Sequence, residues 1–112
     1  MKQLTLVIAT EFSATPGPRY ERQGPDSGEK FREKLLLPKF DEAEKMGLTL
    51  LVDLDGTAGY ATSFLEESFG GLARARGKDK VRATLQIKSD EQPFLLDEVW
   101  SYVDEAETAA KR

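Results

Sequence analysis

The chain has 112 residues, 39% hydrophobic and 32% charged, with 16 Lys and Arg against 20 Asp and Glu for a formal net charge of −4, enough to bury roughly two-thirds of its unfolded surface in one small domain. It contains no Cys and no His, which excludes a thiolate nucleophile, an imidazole base, a disulfide and the usual zinc ligand sets; a domain without metal or cofactor is expected, and any chemistry must run on carboxylates, hydroxyls, Lys, Arg or backbone. The acidic balance argues against a dedicated nucleic-acid binder, and the opening MKQLTLVIATEF is too short to span a bilayer and lacks a cleavage site, so a cytoplasmic protein with no membrane association is expected.

Gln3 to Ile8 is rich in apolar and β-branched residues and reads as a first strand. From Ser13 to Ser27, Pro16, Gly17, Pro18, Gly24 and Pro25 interrupt the chain every few positions and no apolar period survives, giving an ordered Pro/Gly-rich loop over 13–27 within a single domain of residues 1–112. Loops of this length are usually functional, and Arg19 and Tyr20 are its candidates for gripping a phosphate or a partner.

Asp26 or Ser27 opens a helix, with Asp26 and Glu29 at capping-box spacing. Phe31, Leu35, Leu36, Phe40, Ala43 and Met46 form its apolar face, Gly47 ends it, and Pro38 is expected to bend or split it near Leu37. Leu48 to Leu54 is a nearly continuous apolar run of the kind found in a central strand covered on both faces.

After the turn-forming DGTAG, a helical stripe of Phe64, Leu65, Phe69, Leu72 and Ala73 follows Thr62 and Ser63, hydroxyls placed to cap it. Gly70 and Gly71, each costing a helix about 1 kcal/mol relative to Ala, suggest close approach to the sheet or another chain, and Gly77 is the stop. Val81 to Ile87 alternates as a third strand with Val81, Ala83, Leu85 and Ile87 inward. Ser89, Gln92 and Pro93 open a last helix that buries Leu95, Leu96, Val99, Tyr102, Val103 and Ala106, with Trp100 at the margin of that face. Arg74, Arg76, Lys78, Lys80 and Arg82 make a basic stretch that reads as a solvated helix end rather than a nucleic-acid track.

This alternation of strands and helices predicts an α/β domain with a mixed or mostly parallel sheet and crossover helices, in which function sits beyond the carboxyl ends of the strands. Two resemblances fall there. LLVDLDGT looks like the nucleophile motif of haloacid-dehalogenase phosphatases, which would make Asp53 the nucleophile, Asp55 the acid for the leaving group and both carboxylates ligands of Mg²⁺. That superfamily needs later strands delivering a hydroxyl, a lysine and further acids, whereas only Gly59 to Arg112 follows here: Lys88 ends the one later strand, and Asp97 and Asp104 fall on an amphipathic helix rather than at a strand end.

The wider pattern PGPRY, GPDSGEKFREKLLLP and VDLDGTAGYATSFLEESFGGLAR resembles a bacterial STAS-like family of unknown function, related to the STAS domains of anti-sigma-factor antagonists. The resemblance implies a non-enzymatic protein-binding and signalling module, with a GHKL-type kinase or ATPase as partner. It places the phosphoacceptor at Thr62, beside Ser63; Tyr60 and Glu67 are expected in the contact surface because the strand-end loop and the first helical turn are the parts of this architecture free to meet another protein. Ala61 stands where an acidic residue usually precedes the pair, and Phe64 where Gly usually follows it.

Overall fold

The computed structural model of the chain describes residues 3–110 and the side-chain surroundings of residues 3–106; residues 1, 2, 111 and 112 of the expected domain lie outside the described residues. Strand β1 (Gln3–Val7) pairs in parallel with β2 (Thr49–Asp53), and β2 pairs in parallel with β3 (Leu85–Lys88), giving the order β1-β2-β3. In register, Leu6 lies beside Val52, and Leu50 beside Leu85. These four residues share the buried face of the sheet.

β2 is not covered on both faces. Leu50, Val52 and the following Leu54 are buried, while Leu51 and Asp53 between them are only half-buried. Two successive right-handed crossovers that step along the sheet in one direction place both connecting helices on the same side. The opposite face, with Gln3, Thr5 and Gln86 exposed, therefore stays open to solvent.

Strand β1 is one residue shorter than its apolar run, because Ile8 begins a single helical turn, α1 (Ile8–Glu11). That turn brings the Glu11 carboxylate back to accept a hydrogen bond from Val7 N at 2.8 Å. The 13–27 loop contains a 3₁₀ turn, Glu21–Gln23, and is tied to its surroundings through backbone. Gly17 N donates to Asp26 O, Gly28 N to Pro18 O, Glu29 N to Arg19 O, and Ala58 N to Ala14 O, all within 2.9 Å. Only glycine fits at position 17, where a Cβ would lie 2.2 Å from the Pro25 carbonyl oxygen.

Helix α2 runs through Gly28–Phe31, a π-helical turn at Arg32–Leu36, and Leu37–Met46. Ser27 is its cap, its hydroxyl accepting from Lys30 N at 3.0 Å. The Asp26–Glu29 box does not form: Asp26 accepts from the Ser13 hydroxyl, and Glu29 accepts from Glu21 N. Pro38 does not split the helix. The π turn ahead of it lets Leu37 N reach five residues back to Arg32 O, absorbing the donor that proline lacks. Met46, expected in the core, is 57% exposed because it occupies the last position before left-handed Gly47 turns the chain away.

Helix α3 comprises Thr62–Leu65, a π turn at Glu66–Gly70, and Gly71–Arg76. Its apolar stripe is buried as the spacing requires, and Gly77, at φ 98°, ends it. Gly70 and Gly71 meet helix side chains rather than the sheet: a Cβ on Gly70 would meet Glu66, and one on Gly71 would meet Arg32.

The segment after Gly77 corrects the expected third strand. Lys78–Thr84 is a helix, α4, and only Leu85–Lys88 is extended. Val81, Thr84 and Leu85 satisfy a helical i, i+3, i+4 face as well as Val81, Ala83 and Leu85 satisfy alternation, and Ala83 is exposed. Helix α5 (Phe94–Ala110) then lies against α3 and buries Leu95, Val99, Val103 and Ala106; Leu96, Trp100 and Tyr102 are half-buried.

A group of aromatic rings closes the core beneath the loop. Phe12 and Phe31 stand 5.3 Å apart, Phe31 and Phe64 5.9 Å, and Tyr60 and Phe64 5.8 Å. Phe64 thereby anchors the first turn of α3 in the core.

Candidate functional site at the carboxyl end of β2

The chain leaves β2 through a turn whose carboxylates organise backbone. Asp53 Oδ1 accepts from Asp55 N at 2.9 Å, the short-range bond by which Asp commonly shapes a turn. Asp55 reaches across to the loop after β3: Oδ1 accepts from Glu91 N at 2.9 Å, and Oδ2 from Asp90 N at 3.1 Å and Lys88 Nζ at 3.0 Å. The Lys88 ammonium also stands 3.8 Å from Asp53 and 3.1 Å from Asp90.

These bonds hold the Asp55 carboxyl below the usual carboxylate range, the Glu91 amide contributing most, and they push the Lys88 ammonium well above its ordinary value. Gly56 N donates to the Glu91 carboxylate at 2.9 Å, so two chain-distant loops are laced together. Tyr60 closes the turn by donating its hydroxyl to Leu54 O at 2.7 Å. Burial pushes the Tyr60 phenol up to about 12.

Thr62 and Ser63 follow, but they do not cap the helix. Ala61 is the N-cap and has no side-chain cap bond, so the hydroxyls sit inside the first turn. Thr62 is exposed and Ser63 half-buried, and neither hydroxyl has a hydrogen-bond partner among the described residues. A cap requires extended backbone at the hydroxyl residue, a conformation taken here by Ala61.

One turn further along α3 is an ion-pair network that the sequence does not announce. Arg19 Nη1 donates to Glu66 Oε1 at 2.5 Å and to Glu67 Oε1 at 3.3 Å. Arg74 Nη1 donates to Glu66 Oε2 at 2.7 Å. Arg32 Nη1 pairs with Glu67 Oε2 and also donates to the Glu67 carbonyl at 3.0 Å. Burial raises the Glu66 carboxyl, but Arg74 and Arg19 outweigh it and leave the group below its ordinary value. Glu67 is only 8% exposed. A cleft of about 370 Å³ opens beside the network, with Arg32, Glu33, Leu37, Glu67, Gly71, Arg74 and Ala75 on its walls.

The sequence candidates are thus divided between two clusters. Asp53, Asp55 and Tyr60 belong to the turn after β2, whereas Arg19 and Glu67 belong to the network on α3, with Thr62 and Ser63 between them along the chain. Tyr20 borders the second cluster, with the Arg19 guanidinium 5.9 Å and the Arg22 guanidinium 5.0 Å from its ring centroid. Arg32 and Glu66 were not singled out by the sequence, and Arg74 entered only as part of the basic stretch; the one local hint was an acidic residue, Glu67, inside an apolar stripe.

The basic stretch is neutralised from within the fold. Arg74 pairs with Glu66, Arg76 with Asp41, Lys80 with Glu44 and Arg82 with Asp104, while Arg82 also covers the Trp100 ring at 4.8 Å. Among the described residues no group of His, Cys, Asp or Glu is arranged to hold a metal ion, and no helix is long and apolar enough to cross a membrane.

A small parallel sheet with its crossover helices, a glycine turn after the central strand and a hydroxyl pair opening the next helix define an α/β domain of STAS-like class. Residues 27–94 match the family described as STAS-like domain of unknown function (DUF4325), and the chain belongs to that family. The matched region contains Asp53, Asp55, Tyr60, Thr62, Ser63 and Glu67, and begins after Arg19 and Tyr20. Neither the curated proteins nor the solved structures contain a match to the chain.

Proposed function

We propose that this domain is a non-enzymatic, cofactor-free protein-binding module of the cytoplasm, whose docking to a protein partner of the GHKL kinase or ATPase type is switched by phosphorylation of Thr62 or Ser63. The observation that carries this reading is the hydroxyl pair itself: two side chains in the first turn of α3, engaged by nothing else among the described residues, at the carboxyl end of the central strand. Phosphate there adds about −1.5 to −2 charges, and the unpaired N–H groups of a first helical turn favour it. The surface that changes charge comprises the pair, the neighbouring glycine turn and Tyr60.

The geometry of the DLDGT carboxylates supports a binding role over a phosphatase of haloacid-dehalogenase type. Lys88 at the end of β3 stands 3.8 Å from Asp53 and 3.0 Å from Asp55, so the lysine of that superfamily has a counterpart here, but among the described residues no group of His, Cys, Asp or Glu is arranged to hold the metal ion such a phosphatase needs. The Asp55 carboxylate is further committed to two backbone amides.

Affinity capture from the native host tests the switch. Wild type, Thr62→Ala and Ser63→Ala should recover the same partner, while Thr62→Glu or Ser63→Glu should lose it and keep a native thermal transition. Undiminished capture by both Glu variants would overturn the reading.

A further inference from the structure

Arg19 connects the 13–27 loop to α3 in a way that leaves part of its binding capacity unused. Its backbone is fixed at the start of α2, where Arg19 O accepts from Glu29 N at 2.9 Å. Its side chain reaches both Glu66 and Glu67, but through Nη1 alone. Nη2 and Nε have no acceptor among the described residues. Each carboxylate also has another cation: Glu66 has Arg74, and Glu67 has Arg32. Arg19 can therefore leave either one without stranding a half-buried or buried negative charge.

Ser63 precedes Glu66 by three residues and Glu67 by four. On a helix those spacings set side chains side by side, with Cβ atoms about 5–6 Å apart. Thr62 lies four residues from Glu66, a neighbour by the same rule, but five from Glu67, and it is exposed to solvent. Of the two hydroxyls, Ser63 is the one aligned with both groups that Arg19 already holds.

We propose that Ser63 is the residue that accepts the phosphate and that Arg19 receives it, so that modification of α3 is transmitted to the 13–27 loop; this rests on the phosphorylation switch proposed above. In the transfer, Ser63 Oγ bonds to the γ-phosphorus of ATP supplied by the kinase partner. The bond from that phosphorus to the β,γ-bridging oxygen breaks, ADP departs, and the hydroxyl proton passes to a base of the kinase or solvent. The phosphate then takes the free Nη2 and Nε edge of Arg19 as a two-point, charge-assisted contact. Glu66 and Glu67 oppose the new charge from α3, while Arg19 from the loop, Arg32 from α2 and Arg74 from α3 offset it. The docking surface changes both in charge and in the position of the loop.

The test is a ³¹P NMR titration of the full chain with phosphoserine installed at position 63, in wild type and in Arg19→Gln, beside a chain carrying phosphothreonine at position 62. A free phosphomonoester loses its second proton near pH 6. At position 63 that ionisation should occur at lower pH in wild type, return toward the free value in Arg19→Gln, and recover in part in Arg19→Lys, which keeps the charge without the fork. At position 62, which neighbours Glu66 but not Glu67, the Arg19 substitution should have a clearly smaller effect. A phosphoserine 63 titration that is the same with and without Arg19, in chains that retain a native thermal transition, overturns the proposal. Partner capture separates the two readings: an Arg19-dependent shift with unchanged capture by the Ser63→Glu chain supports the Arg19 contact and removes the switch. Lost capture with an Arg19-independent titration does the reverse.

Discussion

The Arg32 guanidinium lies against Gly71, so closely that a Cβ at position 71 would come within 2.7 Å of Nη1 and 2.9 Å of Cδ. The same Nη1 is held by the Glu67 carboxylate and the Glu67 carbonyl, which prevents it from yielding easily. Helices α2 and α3 therefore meet through a charged side chain seated on a glycine. The glycine that weakens α3 locally is what lets an arginine reach the buried Glu67.

The seat predicts a change of sign. Alanine in a helix is worth about 1 kcal/mol over glycine, yet overpacking a fixed neighbour typically costs about 1–3 kcal/mol. Gly71→Ala should thus destabilise the protein in urea unfolding. In an Arg32→Ala background the same substitution should become neutral or stabilising, and equal effects in both backgrounds would show that the contact does not govern the helix pair.

Burial on a single face of the sheet sets a second expectation. Leu50→Ala removes a fully buried side chain and should cost about 2–5 kcal/mol, lowering the thermal midpoint by many degrees. Leu51→Ala, on the half-covered face, should cost clearly less. Arg76→Ala breaks a partly exposed pair with Asp41 and should change stability by no more than about 1 kcal/mol. Comparable losses at Leu50 and Leu51 would mean that the second face is covered in solution.

Acid should weaken the fold through identifiable pairs. Arg76 holds Asp41 below its ordinary value, the Glu91 amide does so for Asp55, Arg82 for Asp104, and Arg74 with Arg19 for Glu66 against the effect of burial. A carboxyl whose folded pKa is depressed stabilises the fold above its unfolded pKa, near 4, and that contribution is lost as pH falls through the folded value. Urea midpoints should therefore decline from pH 5 downward, with a shallower decline in Asp55→Asn. An unchanged slope would remove Asp55 from the set.

At alkaline pH the sign reverses. The Tyr60 and Tyr102 phenols are pushed up to about 12, chiefly by burial, so their contribution is intact below the unfolded value near 10 and is lost as pH rises through the folded value. Absorbance at the phenolate band should show the Tyr60 and Tyr102 steps late, and Tyr60→Phe should remove one of them. The same substitution leaves Leu54 O without its donor and should cost about 1 kcal/mol at neutral pH.

Catalysis provides the test of the binding-module reading against the phosphatase. With the Asp55 carboxylate committed to the Asp90 and Glu91 amides, the purified chain with Mg²⁺ should not hydrolyse an aryl phosphate above background. Turnover that disappears in Asp53→Asn would make the protein an enzyme.

Local periodicity was sufficient for much of the architecture. The alternation of apolar runs predicted a mixed or mostly parallel sheet joined by crossover helices, the stripe from Phe64 to Ala73 identified the buried face of α3, and Gly77 marked its end, because each of these signals is written within a few turns of chain. The turn after Leu54 and the hydroxyl pair were legible for the same reason. Where two local patterns coexist, as from Val81 to Leu85, only packing decided for helix over strand. The open face of the sheet depended on the direction of two crossovers, which no single segment encodes. The charged network was hidden most completely: Arg19 and Glu66 are 47 positions apart, and Arg32 and Glu67 are 35 apart. Charged residues on amphipathic helices look alike until the fold removes some of them from water, and only then does desolvation require each buried carboxylate to have a cation beside it.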